Sequence, residues 1–168
     1  METHNPKGTA RLLHLSLPGS QLLCGEVFAP ELLRAALHAP TDAGAPVQPV
    51  LLYPGESALA ADAAVLSGAA VRLRLVVIDG TWRKTRKMLH LNPQLQALPR
   101  CALADVAPSR YVIRKAHAPH QLSTLEATCA ALAQLEGEGR TDRYMPLLAA
   151  MDGLVAQQLA FRESLPRG

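Results

Sequence analysis

The chain has 168 residues, 49% of them hydrophobic, and a formal net charge of +3. This length suits one domain with a single core. Because the apolar residues are mostly Ala and Leu, with only two Phe, three Tyr and one Trp, the composition favours helices packed on a sheet over an all-β sandwich. No apolar run is long enough to cross a bilayer, and residues 1–11 lack the apolar segment of a signal peptide. We therefore expect a cytoplasmic protein without a membrane partner.

The cysteines and the distribution of charge narrow the possible partners. Cys24, Cys101 and Cys129 are widely spaced and form no Cys-x-x-Cys pair, so we expect reduced, buried thiols and neither a disulfide framework nor a zinc site. Residues 72–120 contain ten of the 17 Lys and Arg but only two of the 14 Asp and Glu, a net charge of +8 that leaves −5 elsewhere. Such a concentration of positive charge predicts a polyanionic partner, and nucleic acid is the usual one.

The N-terminal part of the chain predicts short elements around one helix. The leucines of residues 12–17 predict a first strand that ends at a Pro-Gly turn, and residues 22–28 predict a second extended stretch. Pro30 suits the first turn of a helix whose apolar stripe continues to Pro40. Residues 39–49 contain three prolines and predict a polar loop.

Residues 50–78 alternate between strand and helix patterns. Residues 50–53 predict a covered strand, and residues 57–66 predict an alanine-rich helix. Residues 73–78 predict a second strand, and their continuous apolar run indicates that both of its faces are buried. Repeats of this kind predict right-handed crossovers in a mostly parallel sheet with helices on both faces, the α/β class.

The turn after the second of these strands concentrates chemically useful residues. Thr81 can cap a helix that opens with the only tryptophan, Trp82, and continues to Asn92. Four cations share that helix: Arg83, Lys84, Arg86 and Lys87. Each feature has an ordinary explanation as a turn, a core aromatic or a solvated face. Their coincidence at the carboxyl end of a strand, on the same rim as the turn at residues 54–56, instead indicates a ligand site.

The following segment is less regular. Residues 101–106 and 111–113 predict two further strands. Residues 114–121 form a basic stretch with two histidines three residues apart and no Cys or carboxylate beside them. This pattern favours a surface or phosphate-contacting role over metal binding.

The C-terminal part predicts two helices. Ser123 and Glu126 have the spacing of a capping box at the start of a helix that runs to about Glu136. We favour this structural role for Glu126 over a catalytic one. The final helix begins near Tyr144, and we expect its apolar stripe to cover one face of the sheet. The stripe consists of Leu147, Leu148, Met151, Leu154, Val155 and Leu159.

Four ordered motifs resemble the DTW domain family, which is named for an Asp-x-Thr-Trp motif. Residues 79–82 match that motif, which continues through residues 83–84 and 86–89, and the other three motifs are residues 51–56, 109–115 and 122–127. It covers about residues 50–136, and we treat residues 1–168 as a single domain of this kind. Many relatives carry an N-terminal cysteine cluster suited to zinc, whereas a lone cysteine precedes residue 50 here. We therefore expect no N-terminal zinc module and no metal.

The resemblance implies an activity and a fold. Members of the family transfer the 3-amino-3-carboxypropyl group of S-adenosylmethionine to N3 of a uridine in tRNA and release methylthioadenosine. The implied fold is SPOUT-like, with a C-terminal trefoil knot that holds the group donor. Because the cysteine cluster is missing, we expect the RNA partner to be tRNA or another structured RNA.

The resemblance also suggests roles for particular residues. Asp79 is the candidate general base for the uridine N3–H, and Trp82 is the candidate platform for an unpaired uracil. The amide donors of Ser123 and Thr124 are candidates for holding the donor's carboxylate at a helix N-terminus. The predicted donor-binding residues are Tyr53, Pro54, Gly55, Glu56, Val77, Ile78, Asp79, Gly80, Thr81, Leu122, Ser123, Thr124, Leu125 and Glu126. The predicted RNA-binding residues are Trp82, Arg83, Lys84, Arg86, Lys87, Arg110, Arg114, Lys115 and His117.

Two other functions fit the same sequence. A SPOUT-type RNA methyltransferase would use the same donor and fold class, and would differ only in which carbon of the sulfonium faces the nucleophile. A non-catalytic RNA-binding module would use the basic segment alone, with Asp79 as a turn residue. The product of turnover separates the two enzymes, and binding of S-adenosylmethionine separates both from the module.

Overall fold

The computed structural model describes residues 9–41, 44–55, 72–103, 122–137 and 141–164. These residues form six helices and three strands in an α/β arrangement. The helices are α1 (Thr9–Ser16), α2 (Pro30–His38), α3 (Trp82–Leu91), α4 (Pro93–Gln96), α5 (Thr124–Glu136) and α6 (Thr141–Ser164). The strands are β1 (Val47–Leu52), β2 (Arg72–Val76) and β3 (Arg100–Cys101).

The three described strands form a parallel sheet in the order β2-β1-β3. Val50 lies opposite Leu75, and Leu52 lies opposite Cys101. Val50 and Leu51 are 1% and 0% exposed, and because their side chains alternate, both faces of β1 are covered. The prediction of parallel strands is therefore confirmed. Residues 73–78 are all intermediate in exposure, so the predicted burial of both faces of this strand is only partial.

One hydrophobic cluster packs helices against the sheet. Its buried members come from α2, β1, α3 and α4, and we call it the sheet cluster: Leu33, Leu37, Leu51, Leu89 and Leu95. The helix predicted to begin at Pro30 is confirmed as α2. The helix predicted after Thr81 is confirmed as α3, which ends at Asn92 with a proline opening the next helix.

Asn92 attaches an irregular segment of the chain to this cluster. Its buried side chain donates from Nδ2 to the carbonyl oxygens of Glu26 (2.8 Å) and Met88 (2.7 Å). Its Oδ1 accepts from the backbone N–H of Phe28 at 3.1 Å. The segment 22–28 contains no strand, so polar contacts of this kind replace the pairing that its apolar residues had suggested.

A second hydrophobic cluster consists of helices alone. Its buried members come from α1, α5 and α6, and we call it the helical cluster: Leu13, Leu125, Cys129, Tyr144, Leu147, Met151 and Val155. The stripe of the final helix therefore packs against α1 and α5, and the expectation that it covers the sheet is wrong. The predicted strand at residues 12–17 is also wrong. Four leucines in six residues fit both the alternating period of a strand and the longer period of a helix. The packing of Leu13 against α5 and α6 favours the helix.

The remaining predictions have mixed outcomes. Cys101 and Cys129 are buried as expected, whereas Cys24 is exposed. Strand β3 is only two residues long, and residues 102 and 103 do not continue it. The helix at 57–66, the strand at 111–113 and the basic stretch at 114–121 lie outside the described residues, and the knot stays a prediction. No helix in the described parts of the chain is long and apolar enough to span a membrane.

Candidate functional site

A cavity of about 280 Å³ opens where the three parallel strands end. The parallel arrangement places the residues that follow β1, β2 and β3 at one edge of the sheet, and the first turns of α3 and α5 complete the wall. The lining residues are Leu52, Tyr53, Pro54, Val77, Ile78, Gly80, Trp82, Thr85, Cys101, Ala102, Leu103, Leu122, Ser123, Thr124 and Ala127. The structure thus brings together the predicted turns after β1 and β2 and the predicted start of α5.

Asp79 meets helix α5 at this edge. The Thr124 hydroxyl donates a hydrogen bond to Asp79 Oδ1 at 2.5 Å, which joins residues 45 positions apart in the chain. Asp79 follows β2, and Thr124 is the first residue of α5. This contact fixes one oxygen of the exposed Asp79 carboxylate beside the cavity.

The start of α5 forms the predicted capping box. Ser123 Oγ accepts from the Glu126 N–H at 3.2 Å, and Glu126 Oε2 accepts from the Ser123 N–H at 2.8 Å. Both side chains are buried. Because the box engages the Ser123 amide, the donors of the first turn that have no acceptor within the helix are those of Thr124 and Leu125.

Two aromatic rings stand at the mouth of the cavity. The centroids of Tyr53 and Trp82 lie 5.7 Å apart at an interplanar angle of 71°, an edge-to-face arrangement. Trp82 is 48% exposed, although Thr85 and Leu89 on the same face of α3 are buried. Its position at the first residue of the helix, beyond the sheet cluster, explains the exposure. An indole that is half exposed beside a cavity can stack on a planar ligand.

Arg100 supports this aromatic pair, although no pattern in the sequence indicates it. Its guanidinium carbon lies 5.2 Å from the centroid of the Tyr53 ring, and Nη1 donates to the Pro54 carbonyl at 3.1 Å. Gly55 lies beneath the guanidinium with a φ of +151°, and a Cβ there would lie 2.9 Å from Nη1. Arg100 begins a strand of only two residues, which is too short to produce a recognisable period in the sequence.

The predicted cations lie beside the cavity on α3. Arg83, Lys84, Arg86 and Lys87 are all exposed. Lys87 forms an ion pair with Glu26 at 2.6 Å, and this hydrogen-bonded ammonium holds the pKa of Glu26 below its usual value. The predicted site residues Glu56, Arg110, Arg114, Lys115 and His117 lie outside the described residues.

Cysteine contributes to the wall of the cavity as a neutral group. Burial raises the pKa of the Cys101 thiol, so the side chain stays protonated at neutral pH. Within the described ranges, no group of three or more His, Cys, Asp or Glu side chains is placed to hold a metal ion. Apart from the aromatic pair, Thr85, the α5 cap and the adjoining Asp79, the described wall is therefore apolar.

Comparisons with known proteins show which family the chain resembles. The model of the DTW domain family matches residues 1–159. Proteins called tRNA-uridine aminocarboxypropyltransferase 2 are similar to the chain. The Macaca fascicularis protein is 31% identical over 87 residues, which are 52% of this chain and 29% of the relative. The Drosophila melanogaster protein is 33% identical over 112 residues, 67% of this chain and 43% of the relative. The chain thus aligns with less than half the length of these relatives, and no solved structure matches it.

Proposed function

We propose that this chain, which belongs to the DTW domain family, transfers the 3-amino-3-carboxypropyl group of S-adenosylmethionine to N3 of a uridine in tRNA, releasing methylthioadenosine. The names of the similar proteins support this reaction and this acceptor. The observation that carries the proposal is the contact between Asp79 and Thr124 at the edge of the cavity, because it joins the Asp-Gly-Thr-Trp turn to the capped helix. In this proposal residues 1–168 act as one domain in the cytoplasm, on tRNA or another structured RNA.

The described wall suits the donor in two respects. Leu52, Val77, Ile78 and Leu103 provide apolar surface for its adenosine and its methyl group. The N-terminus of α5 provides amide donors for its carboxylate, and the positive end of the helix dipole favours an anion there. Since the capping box engages the Ser123 amide, and Leu125 is 0% exposed and does not line the cavity, we assign this contact to the amide of Thr124. Glu126 keeps the structural role that its two cap hydrogen bonds give it.

Asp79 takes the proton in the proposed chemistry. The uridine N3–H becomes a competent nucleophile when Asp79 Oδ2 accepts its proton, while the Thr124 hydroxyl holds Oδ1. The N3 lone pair then forms a bond to the aminocarboxypropyl carbon, and the carbon–sulfur bond breaks with its electrons passing to sulfur. This in-line displacement chiefly requires alignment, which the rigid edge of the sheet and the capped helix supply.

The RNA contacts follow from the charge and exposure of α3. Its exposed cations would contact phosphates, and the half-exposed indole of Trp82 would stack on the unpaired uracil. Trp82 lines the cavity and the cations follow it on the same helix, so an acceptor bound on α3 would present its base to the cavity beside Asp79.

The reaction is tested by its products. Purified protein is incubated with S-adenosylmethionine and unmodified tRNA transcripts, and nucleosides and small molecules are analysed by mass spectrometry. A uridine bearing the aminocarboxypropyl group, formed together with methylthioadenosine, is the expected result. S-adenosylhomocysteine with a methylated base would replace this proposal with the methyltransferase. A protein that binds RNA, gives no product and shows no change in Tm with S-adenosylmethionine would be the non-catalytic module instead.

A further inference from the structure

Arg100 contacts the turn after β1 at each of its residues Tyr53, Pro54 and Gly55. The guanidinium lies over the Tyr53 ring at 5.2 Å, it donates to the Pro54 carbonyl at 3.1 Å, and it occupies the space above Gly55. A guanidinium can make these contacts simultaneously because it is planar and carries its N–H donors at the edge. A lysine ammonium could not stack and donate in the same way.

The same contacts determine how Tyr53 faces Trp82. The Tyr53 ring contacts both the Arg100 guanidinium and the Trp82 ring, and the planes of the two aromatic rings are 71° apart. Trp82 has no comparable enclosure, since it is the first residue of α3 and is 48% exposed. The orientation of the indole at the mouth of the cavity therefore depends on a tyrosine that Arg100 holds in place.

We propose that Arg100 is a positioning residue. It orients Tyr53 and, through Tyr53, Trp82, so that the two rings form a wall against which a planar nucleobase binds. This inference rests on the proposed function, in which both the acceptor and the donor bring such a base, uracil in the RNA and adenine in the donor. The shared chemistry is a flat heterocycle that stacks on the exposed indole and meets the edge of the phenol ring. Arg100 acts through Tyr53 and does not itself touch the reacting atoms.

The wall can be observed directly because Trp82 is the only tryptophan of the chain. Its fluorescence is titrated with uridine 5′-monophosphate in one arm and with methylthioadenosine in the other, in the wild type and in Arg100→Lys. We expect at least one of the two probes to quench the fluorescence of the wild type, and the probe that does so identifies which base binds against the wall. In Arg100→Lys we expect the Kd for that probe to rise roughly five- to thirtyfold, because the stack and a charge-assisted hydrogen bond are lost.

Two further variants test whether the effect belongs to this contact. Gly55→Ala places a methyl group where the guanidinium lies, so it should reproduce the loss, and its effect should not add to that of Arg100→Lys. Arg74→Lys is the matched control, because Arg74 Nη1 also donates to a backbone carbonyl, that of Ala36 at 2.8 Å, but lies outside the cavity wall. Its Kd should stay within about twofold of the wild type. Circular dichroism checks that each variant is folded.

Steady-state kinetics separates positioning from a general loss of structure. If Arg100 orients the binding wall, Arg100→Lys raises KM for the substrate whose base binds there and changes kcat little. Wild-type affinity for both probes in Arg100→Lys and Gly55→Ala, or a wild type that neither probe quenches, would overturn the inference. If the probes quench the fluorescence of the wild type but no aminocarboxypropyl product forms, the proposed function is overturned and the inference about the two-ring wall still holds.

Discussion

The sheet cluster and the helical cluster bury similar aliphatic side chains but supply different parts of the candidate site. The sheet cluster supports the turn that carries Asp79 and Trp82, the groups that would meet the acceptor. The helical cluster supports the capped N-terminus of α5, which offers amide donors. Across the cavity, the Thr124 hydroxyl hydrogen-bonds Asp79, and on the far side Ser123 Oγ lies 3.5 Å from Met151 Sδ in the helical cluster. The proposed reaction would therefore depend on how two separately packed regions are held together.

The two regions also differ in charge. Helix α3 carries four Lys and Arg and no acid, whereas α5 carries two Glu and no Lys or Arg. An anionic acceptor would therefore approach from the side of α3 and meet Trp82 before it meets α5. Under the proposed function, acceptor binding would belong to the sheet region and donor binding to the junction, and the following changes test this division.

The largest effect should come from Asp79→Asn. The amide cannot accept the N3 proton, so we expect product formation to fall by about a hundredfold or more. Binding of S-adenosylmethionine, measured by calorimetry, should largely survive. Asp142→Asn, at an exposed acid in the first turn of α6, is the control and should leave turnover unchanged. Near-normal turnover by Asp79→Asn would remove Asp79 as the base.

Truncation within each cluster should show whether the regions unfold together. Leu51 and Met151 are both 0% exposed, and replacement of either by Ala should lower the free energy of unfolding by about 2–5 kcal/mol. Urea unfolding followed by Trp82 fluorescence and by circular dichroism should give coincident transitions in both variants. Leu15→Ala, at a side chain that is 73% exposed, should change stability by less than about 0.5 kcal/mol. Separate transitions would contradict a single cooperative unit.

The bond between the regions is tested by Thr124→Val. Valine keeps the shape of threonine but lacks the hydroxyl that holds Asp79 Oδ1, so we expect turnover to fall roughly tenfold, the equivalent of about 1.4 kcal/mol for one such hydrogen bond. Thr124→Ser keeps the donor and should retain most of the activity. In the Asp79→Asn background the valine change should have little further effect. Equal activities of the valine and serine variants would show that the hydroxyl has no role.

The smallest change should appear in the salt dependence of RNA binding. Removing Arg83 and Arg86 together should reduce the slope of log K against log salt by roughly 1.4, about 0.7 for each phosphate contact with single-stranded RNA. Lys87→Ala should reduce it less, because Lys87 is already paired with Glu26. Arg11→Ala, at an exposed residue of α1 in the helical region, is the control. An unchanged slope in the double variant would place the RNA elsewhere.

The sequence predicted the elements whose ends carry explicit chemical signals. Thr81 caps α3, and Ser123 and Glu126 form the capping box of α5, because these side chains satisfy amide donors of their own helix. Such signals are local and need no knowledge of the rest of the fold. The turns after β1 and β2 meet at one edge for a similar reason, since parallel pairing follows from the alternation of strands and helices.

The features that the sequence could not predict depend on contacts between distant residues. Leu13 adopts a helix because α5 and α6 pack against it, and Arg100 matters because Tyr53, 47 positions earlier, lies beneath it. The hydrogen bond from Thr124 to Asp79 likewise depends on the angle at which α5 approaches the sheet. No period or cap encodes these relations, because each is a product of how the elements pack.

The side chain of Asn92 has a consequence for the chemical ageing of the protein. Its carboxamide uses two N–H donors and one acceptor, and a carboxylate could not replace it, since the carbonyls of Glu26 and Met88 would lose their donors. Asparagine commonly deamidates when the backbone nitrogen of the next residue attacks its side chain. Here that nitrogen belongs to Pro93, which has no N–H to lose. Asn92 therefore cannot be converted to aspartate by this route. Such a conversion would break the hydrogen bonds that attach residues 26–28 to α3.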